Sequence, residues 1–81
     1  MRIQVHFYSY FKELTGCGTV QEDLASPGTV GDLLGLVYAR FPRLAPLSKS
    51  TLIAVGVEYQ TRSHPLKDGD EVSLFPPVQG G

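Results

Sequence analysis

The sequence predicts an α+β roll, in which one main helix packs against a mixed sheet of four or five strands. Stretches of alternating polar and apolar residues near both ends of the chain are typical of strands with one buried face. Between them lies a stripe of apolar residues at helical spacing. With 81 residues the chain has room for one core, so we expect residues 1–75 to form the domain and residues 76–81 a flexible tail.

The first strand is predicted over residues 2–8, where alternate positions are apolar: Ile3, Val5 and Phe7. The run FKEL before GCG predicts a short helical turn that ends near Gly16, since glycine is the usual residue after a helix. Val20 and the following QEDL predict a second strand, which is polar enough to lie at an edge of the sheet.

The main helix is predicted over residues 29–41 because its apolar positions form a single stripe: Val30, Leu33, Leu34, Val37 and Phe41. Thr29 stands at the N-cap position, and Asp32 places a negative charge in the first turn. Gly31 and Gly35 each weaken a helix by about 1 kcal/mol relative to alanine. Packing on the sheet must therefore stabilise this helix.

The second half of the chain is predicted to hold a loop and two strands. Residues 42–50 include Pro42 and Pro46 and are interpreted as a loop. TLIAVGVEY, residues 51–59, is predicted to be one strand, central or partly buried on both faces. KDGD predicts a tight turn. In the EVSLF strand that follows, two residues are predicted to point inward and three outward, respectively Val72 and Leu74, and Glu71, Ser73 and Phe75.

Composition excludes several classes of function. Seven Lys and Arg against eight Asp and Glu give a net charge of −1, and the basic residues are scattered, whereas a nucleic-acid-binding protein needs a basic surface. No apolar run approaches the roughly 18 residues of a membrane span, and MRIQVHFYSYF lacks the pattern of a signal peptide. We therefore expect a cytoplasmic protein that binds neither nucleic acid nor membrane. The single Cys17 cannot form an internal disulfide, which fits a reducing compartment.

The sequence carries no recognised catalytic or metal-binding motif, since a Walker loop, a CxxC pair, an HExxH helix and a GxSxG elbow are absent. We expect no metal site and no bound cofactor. His6 and His64 are the only histidines, and we interpret both as surface residues because metal sites need clustered ligands. Cys17 has no His or Arg beside it in sequence to activate it, which favours a spectator thiol over a reactive one.

Three aromatic residues are predicted to point away from the core: Phe75, Tyr8 and Tyr59. If the first and last strands are neighbours, these rings share one exposed sheet face near the start of the tail. Isolated surface aromatics are common, but sheets that expose several rings often use them to bind partners. The sequence therefore predicts a docking surface at this face.

The tail, FPPVQGG from Phe75 onward, is the most specific feature of the sequence. Pro76 and Pro77 favour an extended chain, and six extended residues reach about 20 Å. Gly80 and Gly81 have no side chains, so they can pass through a narrow channel and leave the last carbonyl open to attack. A carboxylate is a poor electrophile, and adenylation by an ATP-using partner would activate it. The alternative is an unused, frayed terminus.

The complete chain resembles the small subunits of molybdopterin synthase, which are β-grasp, ubiquitin-like sulfur carriers of the MoaD/ThiS type. FKELTG, TVGDLL, AVGVEY, HPLKDGDEV and FPPVQGG stand in the order found in that family. Any one of these motifs is weak. DGDEV followed by FPPV and a terminal GG is fairly specific, so the resemblance implies a β-grasp fold for this chain.

The resemblance also implies a function and its partners. An E1-like adenylyltransferase activates the carboxylate of Gly81 with ATP, and the carboxylate becomes a thiocarboxylate. The tail, with Pro76, Pro77, Val78 and Gly80, then inserts into the large subunit of the synthase, in a heterotetramer. Sulfur passes to cyclic pyranopterin monophosphate and builds the dithiolene of molybdopterin. On this view the small subunit donates sulfur and the large subunit holds the catalytic site.

Three other functions stay open at the level of sequence. A sulfur carrier for the thiamine thiazole shares the fold and the GG terminus, although FPPV argues against it. A ubiquitin-like modifier joined to lysines through Gly81 needs the same activation. An adaptor would use only the aromatic face. One residue departs from the family pattern: Gly56 replaces a common asparagine, which removes a side-chain hydrogen bond but keeps a turn that asparagine tolerates.

Overall fold

Strands, helices and one 3₁₀ segment follow one another along residues 1–77, the part of the chain that the computed structural model describes. The strands are β1 (Arg2–Phe7), β2 (Thr19–Asp23), β3 (Leu52–Val55), β4 (Glu58–Tyr59) and β5 (Glu71–Phe75). The helices are α1 (Phe11–Thr15) and α2 (Val30–Arg40), and the 3₁₀ segment Pro42–Ser50 follows α2.

The strands form one mixed sheet in the order β2-β1-β5-β3-β4. β1 and β5 are parallel, with Val5 opposite Val72 and Phe7 opposite Leu74. The other neighbouring pairs are antiparallel. The first and last strands of the described chain therefore meet inside the sheet, and the predicted α+β, β-grasp fold is confirmed.

The hydrophobic core lies between α2 and the inner face of the sheet. The inner face contributes fully or almost fully buried side chains from β1 and β5: Ile3, Val5, Phe7, Val72 and Leu74. The predicted stripe of α2 is buried against them at Val30, Leu33, Leu34 and Val37. Burial of each such side chain adds roughly 1.5–3 kcal/mol to the free energy of unfolding, relative to leaving it exposed. Because the helix covers one face only, the opposite face of the sheet presents its side chains outward.

The start of α2 has the predicted cap. The Oγ1 of Thr29 accepts a hydrogen bond from the backbone N–H of Asp32 at 3.3 Å, and Oδ2 of Asp32 accepts one from the N–H of Thr29 at 2.9 Å. This reciprocal capping box satisfies two backbone donors that have no partner inside the helix. At the other end Phe41 is the C-cap, and its ring packs edge-on against Phe7 at 5.4 Å between centroids.

Glycines lie where the predicted short helix ends and in the predicted tight turn. Gly16 follows α1 with φ of 77°, and Gly69 has φ of 87° in the turn before β5. These left-handed conformations are disfavoured for residues with a Cβ. Oδ1 of Asp68 accepts a hydrogen bond from the N–H of Arg2 at 2.7 Å, which attaches the tight turn to β1. Among residues 1–77, no helix is long and apolar enough to cross a membrane.

Two predictions of local structure were wrong. The segment after Pro42 is 3₁₀ helix rather than loop, because proline is compatible with a first helical position and Leu44, only 1% exposed, anchors the segment in the core. Residues 51–59 form two strands rather than one. Gly56, with φ of 62°, lies in the turn between them, so it keeps the turn geometry that asparagine tolerates.

The outward face of β5 differs from the prediction at one residue. Ser73 points outward but is only 9% exposed. It lies between His6 of β1 and Ala54 of β3 across the sheet. The side chains two residues away on its own strand, Glu71 and Phe75, share its face. Ser73 is therefore part of the floor of this surface.

We expect Gly35→Ala to raise the free energy of unfolding by about 1 kcal/mol, because alanine loses less backbone entropy in a helix. A Cβ at this position meets no heavy atom within 4 Å. Scanning calorimetry should show a Tm higher by about 4–8 °C, the shift typical of a domain of this size. An unchanged or lower Tm would contradict this.

Gly31→Ala is the matched control on the same helix. Its Cβ would lie 3.3 Å from the carbonyl oxygen of Arg62, the same oxygen that accepts the Gly31 N–H at 2.8 Å. This contact is tight and involves backbone, so we expect a smaller gain than at Gly35, or a loss. Equal gains at both positions would show that the close approach at Gly31 has no energetic consequence.

We expect Gly56→Asn to change the free energy of unfolding by less than about 0.5 kcal/mol, because asparagine tolerates the left-handed region. Gly56→Val should destabilise the protein by about 1–2 kcal/mol, since its branched Cβ clashes with the following carbonyl oxygen in this conformation. A Cβ meets no neighbour at this site, so the comparison isolates backbone strain. Urea denaturation measures both, and similar losses for the two variants would refute the assignment.

Candidate functional site

The last strand leads directly to the predicted reactive tail. Val72 and Leu74 of β5 are 0% and 1% exposed. The strand is therefore held in the core up to Leu74, one residue before its end. Phe75 ends the strand, and Pro76 and Pro77 follow it, both half-buried. Neither proline has an N–H to donate to a neighbouring strand. Val78, Gly80 and Gly81, also predicted as site residues, lie outside the described residues.

The outer face of the sheet brings together the three aromatic residues singled out in the sequence: Tyr8, Tyr59 and Phe75. We call them the aromatic cluster. Tyr8 and Phe75 are stacked, with 4.6 Å between ring centroids and 15° between planes. Tyr59 meets Phe75 nearly edge-on at 6.3 Å and 65°. Phe75 is half-buried between its neighbours, whereas Tyr8 is 41% and Tyr59 69% exposed.

Backbone pairing sets the positions of these rings. The N–H of Tyr8 donates to the carbonyl of Leu74 at 3.2 Å, which extends the parallel pairing one residue past β1. Tyr8 therefore lies beside Phe75. Tyr59 lies opposite Ala54, and Ala54 lies opposite Ser73. These two small residues separate Tyr59 from β1 and leave space for its ring to approach Phe75.

Sequence reasoning missed Leu52, which extends the same surface. Leu52 lies directly opposite Phe75 on β3 and is 37% exposed. Alternation along LIAV places Leu52 on the face opposite Ile53, so a partial signal was present. Which face was outward depended on the pairing of β3 with β5, a contact between segments far apart in sequence.

A polar half of the outer face begins next to the cluster. The Nε2 of His6 lies 2.8 Å from Oε1 of Glu71, and its Nδ1 lies 3.3 Å from the hydroxyl of Thr19. Each ring nitrogen of His6 thus has one polar partner. Further from the tail, a groove of about 230 Å³ is lined by polar side chains and one glycine: Arg2, Gln4, Gln21, Asp68 and Gly69. The face is thus apolar near the tail and polar at the other end.

The remaining candidate residues are dispersed. Cys17 is half-buried and packs against the hydrophobic core, with its Sγ 3.9 Å from the carbonyl of Thr15. The carbonyl of His64 accepts a hydrogen bond from Val30 at 2.9 Å, at the start of α2. Within residues 1–77, no three His, Cys, Asp or Glu side chains are grouped as metal ligands would be. The aromatic cluster and the tail that leaves beside it form the candidate site.

Comparison with known proteins identifies the family of this chain. The model of the ThiS family matches residues 5–81, which include both the aromatic cluster and the terminal glycines. The chain belongs to the ThiS family. A molybdopterin synthase sulfur carrier subunit from Chlamydomonas reinhardtii is 32% identical to it over 83 residues, with 100% of both chains covered.

Solved structures agree with the fold. The small archaeal modifier protein SAMP1 from Haloferax volcanii has a TM-score of 0.90 at 26% identity, with 100% of both chains covered. A complex of subunits 1 and 2 of molybdopterin-converting factor from Helicobacter pylori 26695 includes a chain with a TM-score of 0.74 and 27% identity, again with 100% of both chains covered. The ThiS-family chain described here thus resembles proteins named for sulfur transfer and for protein modification.

Proposed function

We propose that this protein is the sulfur-carrier small subunit of a molybdopterin synthase, and that its C-terminal glycine donates the sulfur. The similarity to a molybdopterin synthase sulfur carrier subunit over 100% of both chains carries this proposal. The structure supports it because the tail begins where a buried strand ends, beside exposed rings suited to a partner. The scaffold holds the tail, and other proteins act on it.

The proposed chemistry takes place at the carboxylate of Gly81. An E1-like partner transfers an adenylyl group from ATP to this carboxylate and releases pyrophosphate. A persulfide of the sulfur donor then attacks the acyl carbon and AMP leaves, which gives an acyl disulfide. A second thiol of the donor attacks the sulfur of that disulfide on the donor side, so that a thiocarboxylate remains on Gly81 and a disulfide on the donor. In the synthase this sulfur passes to cyclic pyranopterin monophosphate. ATP is used by the activating partner, and the carrier binds no cofactor of its own in this scheme.

The aromatic cluster docks the partners in this proposal. Since Phe75 immediately precedes Pro76, any enzyme that takes up the tail must approach the rings. A large synthase subunit is the expected partner, because a similar chain occurs in the complex of molybdopterin-converting factor subunits from Helicobacter pylori. Pro76, Pro77 and Val78 would span the distance to its active site, and Gly80 would pass the narrowest point. We expect two copies of each subunit in the complete synthase.

Catalytic groups belong to the partners under this proposal. The groove of about 230 Å³ on the outer face lies among Arg2, Gln4 and Asp68, toward the end of β1 that is farthest from Tyr8. It is therefore poorly placed to act on the terminal glycine. Next to the tail, the described residues instead expose the rings of the aromatic cluster. We also propose a cytoplasmic location, where ATP is available and a single cysteine stays reduced.

A second candidate function is covalent modification of other proteins. It is favoured by the TM-score of 0.90 to a small archaeal modifier protein from Haloferax volcanii. Activation at Gly81 would be the same, but a lysine amine would attack the acyl carbon in place of sulfur. The two functions therefore differ in the acceptor and share the carrier's surface.

We expect incubation with ATP, an E1-like enzyme and a sulfur donor to replace one oxygen of the chain by sulfur. Intact-mass spectrometry detects this exchange, and tandem fragmentation should place it on Gly81. Omission of ATP should prevent it, because the free carboxylate is a poor electrophile. No mass change with an activating enzyme proven active on another carrier would refute the sulfur-carrier function.

Deletion of Gly81 is the control for this experiment. The truncated chain should keep the Tm of the parent, because the core lies in β1, β5 and α2, but it should not support synthesis of molybdopterin in a reconstituted assay. Full activity of the truncated chain would overturn the mechanism. Recovery of lysine conjugates in place of the thiocarboxylate would favour the modifier function.

We expect Phe75→Ala to weaken binding to the large subunit by about 30-fold or more, as removal of a central aromatic side chain at an interface does. Isothermal titration calorimetry measures the affinity. Tyr10→Ala is the matched control, since Tyr10 is 37% exposed and packs edge-on against Phe11, outside the aromatic cluster. Equal losses in both variants would argue against the cluster as the docking surface, and a large fall in Tm for Phe75→Ala would assign that ring to the core.

A further inference from the structure

The outer strand β2 exposes a row of backbone groups to solvent. In its pairing with β1, the N–H of Phe7 donates to Gly18 and the N–H of Leu24 donates to Met1, at 2.8 and 2.7 Å. Hydrogen-bonded pairs alternate along an antiparallel ladder, so even-numbered residues of β2 bond to β1. The backbone groups of Thr19, Gln21 and Asp23 therefore point outward. The opposite edge of the sheet, β4, is only two residues long.

Arg40 occupies the centre of this row. Its Nη1 donates to the carbonyl of Gln21 at 3.2 Å and lies 3.3 Å from Oε1 of Glu22. The side chain of Glu22 is 12% exposed, and the Arg40 guanidinium lies over the Phe41 ring at 5.6 Å. The carboxylate and the ring thus fix the guanidinium on the one outward carbonyl that lies midway along the strand.

The sequence of β2 is compatible with pairing to a second copy of itself. In an antiparallel arrangement centred on Gln21, Gln21 faces its own equivalent and Thr19 faces Asp23. On the other face Val20 lies opposite Glu22. No two like charges are opposed, and both backbone groups of each Gln21 are required for the central pair of hydrogen bonds. The carbonyl that Arg40 covers is one of these groups.

We propose that the outer edge of β2 is a self-pairing surface for a second copy of this chain, and that Arg40 blocks it. An open edge of this length is a template for strand addition, and covering it with a charged side chain is a common defence. When Arg40 leaves Gln21, two copies join their β2 strands in a closed, two-fold symmetric dimer. The sheet order places two strands, β2 and β1, on that side of β5, so the aromatic cluster and the tail are not part of this edge.

Arg40→Ala tests this proposal. Sedimentation equilibrium of the full chain from about 10 µM to about 1 mM should show a monomer for the parent and a dimer for the variant, with a Kd below about 1 mM. Arg43→Ala is the matched control. Arg43 is an exposed arginine three residues further on, and within residues 1–77 it makes no hydrogen bond or ion pair with β2, unlike Arg40. We expect the Arg43→Ala variant to stay monomeric.

A second substitution tests the geometry of the dimer. Gln21→Pro, added to Arg40→Ala, removes the outward N–H at the centre but no hydrogen bond to β1, since proline is tolerated where an edge N–H faces solvent. The double variant should return to a monomer with an unchanged far-UV circular dichroism spectrum. The double variant Arg40→Ala/Glu22→Gln is used to repeat the sedimentation measurement. In this variant the mostly buried side chain of Glu22 carries no unpaired charge.

Each result bears on the proposal. Self-association of Arg40→Ala, or of its Glu22→Gln combination, that Gln21→Pro abolishes would support pairing through β2. A folded Arg40→Ala protein that stays monomeric to about 1 mM would overturn it. Self-association that survives Gln21→Pro would also overturn it, because the contact would then lie elsewhere. The proposal stands independently of the proposed sulfur transfer, since neither Gly81 nor the aromatic cluster takes part.

Discussion

Parallel pairing between β1 and β5 is the interaction on which the remaining structure depends. It joins residues about 67 positions apart, with Val5 opposite Val72 and Phe7 opposite Leu74. All four side chains are buried under α2, at 0–1% exposure. The same register places Tyr8 beside Phe75 on the opposite face. One pairing thus builds the core on the inside and the candidate docking surface on the outside.

The position of β5 also explains how a small domain fixes the point at which its tail begins. β5 has strands on both sides and its inward side chains fill the core, so its backbone is fixed on every side up to Phe75. Pairing ends there because the two prolines that follow donate no hydrogen bonds. The transition from a fixed strand to an unpaired segment therefore takes place within one or two residues. A partner that recognises the rings also finds the start of the tail at a fixed position.

Local chemistry explains which parts of the fold were predictable from sequence. The alternation at Ile3, Val5 and Phe7 and the N-cap at Thr29 depend on neighbours within a few residues, and both were predicted. The division of residues 51–59 at Gly56 was missed because a glycine within an apolar run also fits a continuous strand. The 3₁₀ segment was missed because two prolines suggested a loop, whereas Leu44 holds the segment against the core. Leu52 and the Arg40 contact required the register of distant strands.

The outer face of the sheet and its β2 edge differ: the face leaves groups that can bind a partner exposed, whereas the edge has its central carbonyl covered. On the outer face, Tyr8 and Tyr59 keep large apolar area in contact with water beside the tail, a cost that a partner would recover by covering the rings. At the β2 edge, the Arg40 guanidinium covers the central carbonyl and is itself held by a mostly buried carboxylate. Under the proposed function this face stays open, so that a partner can bind and leave. The β2 edge is covered instead, because an open edge of this length is a template for the addition of a second strand.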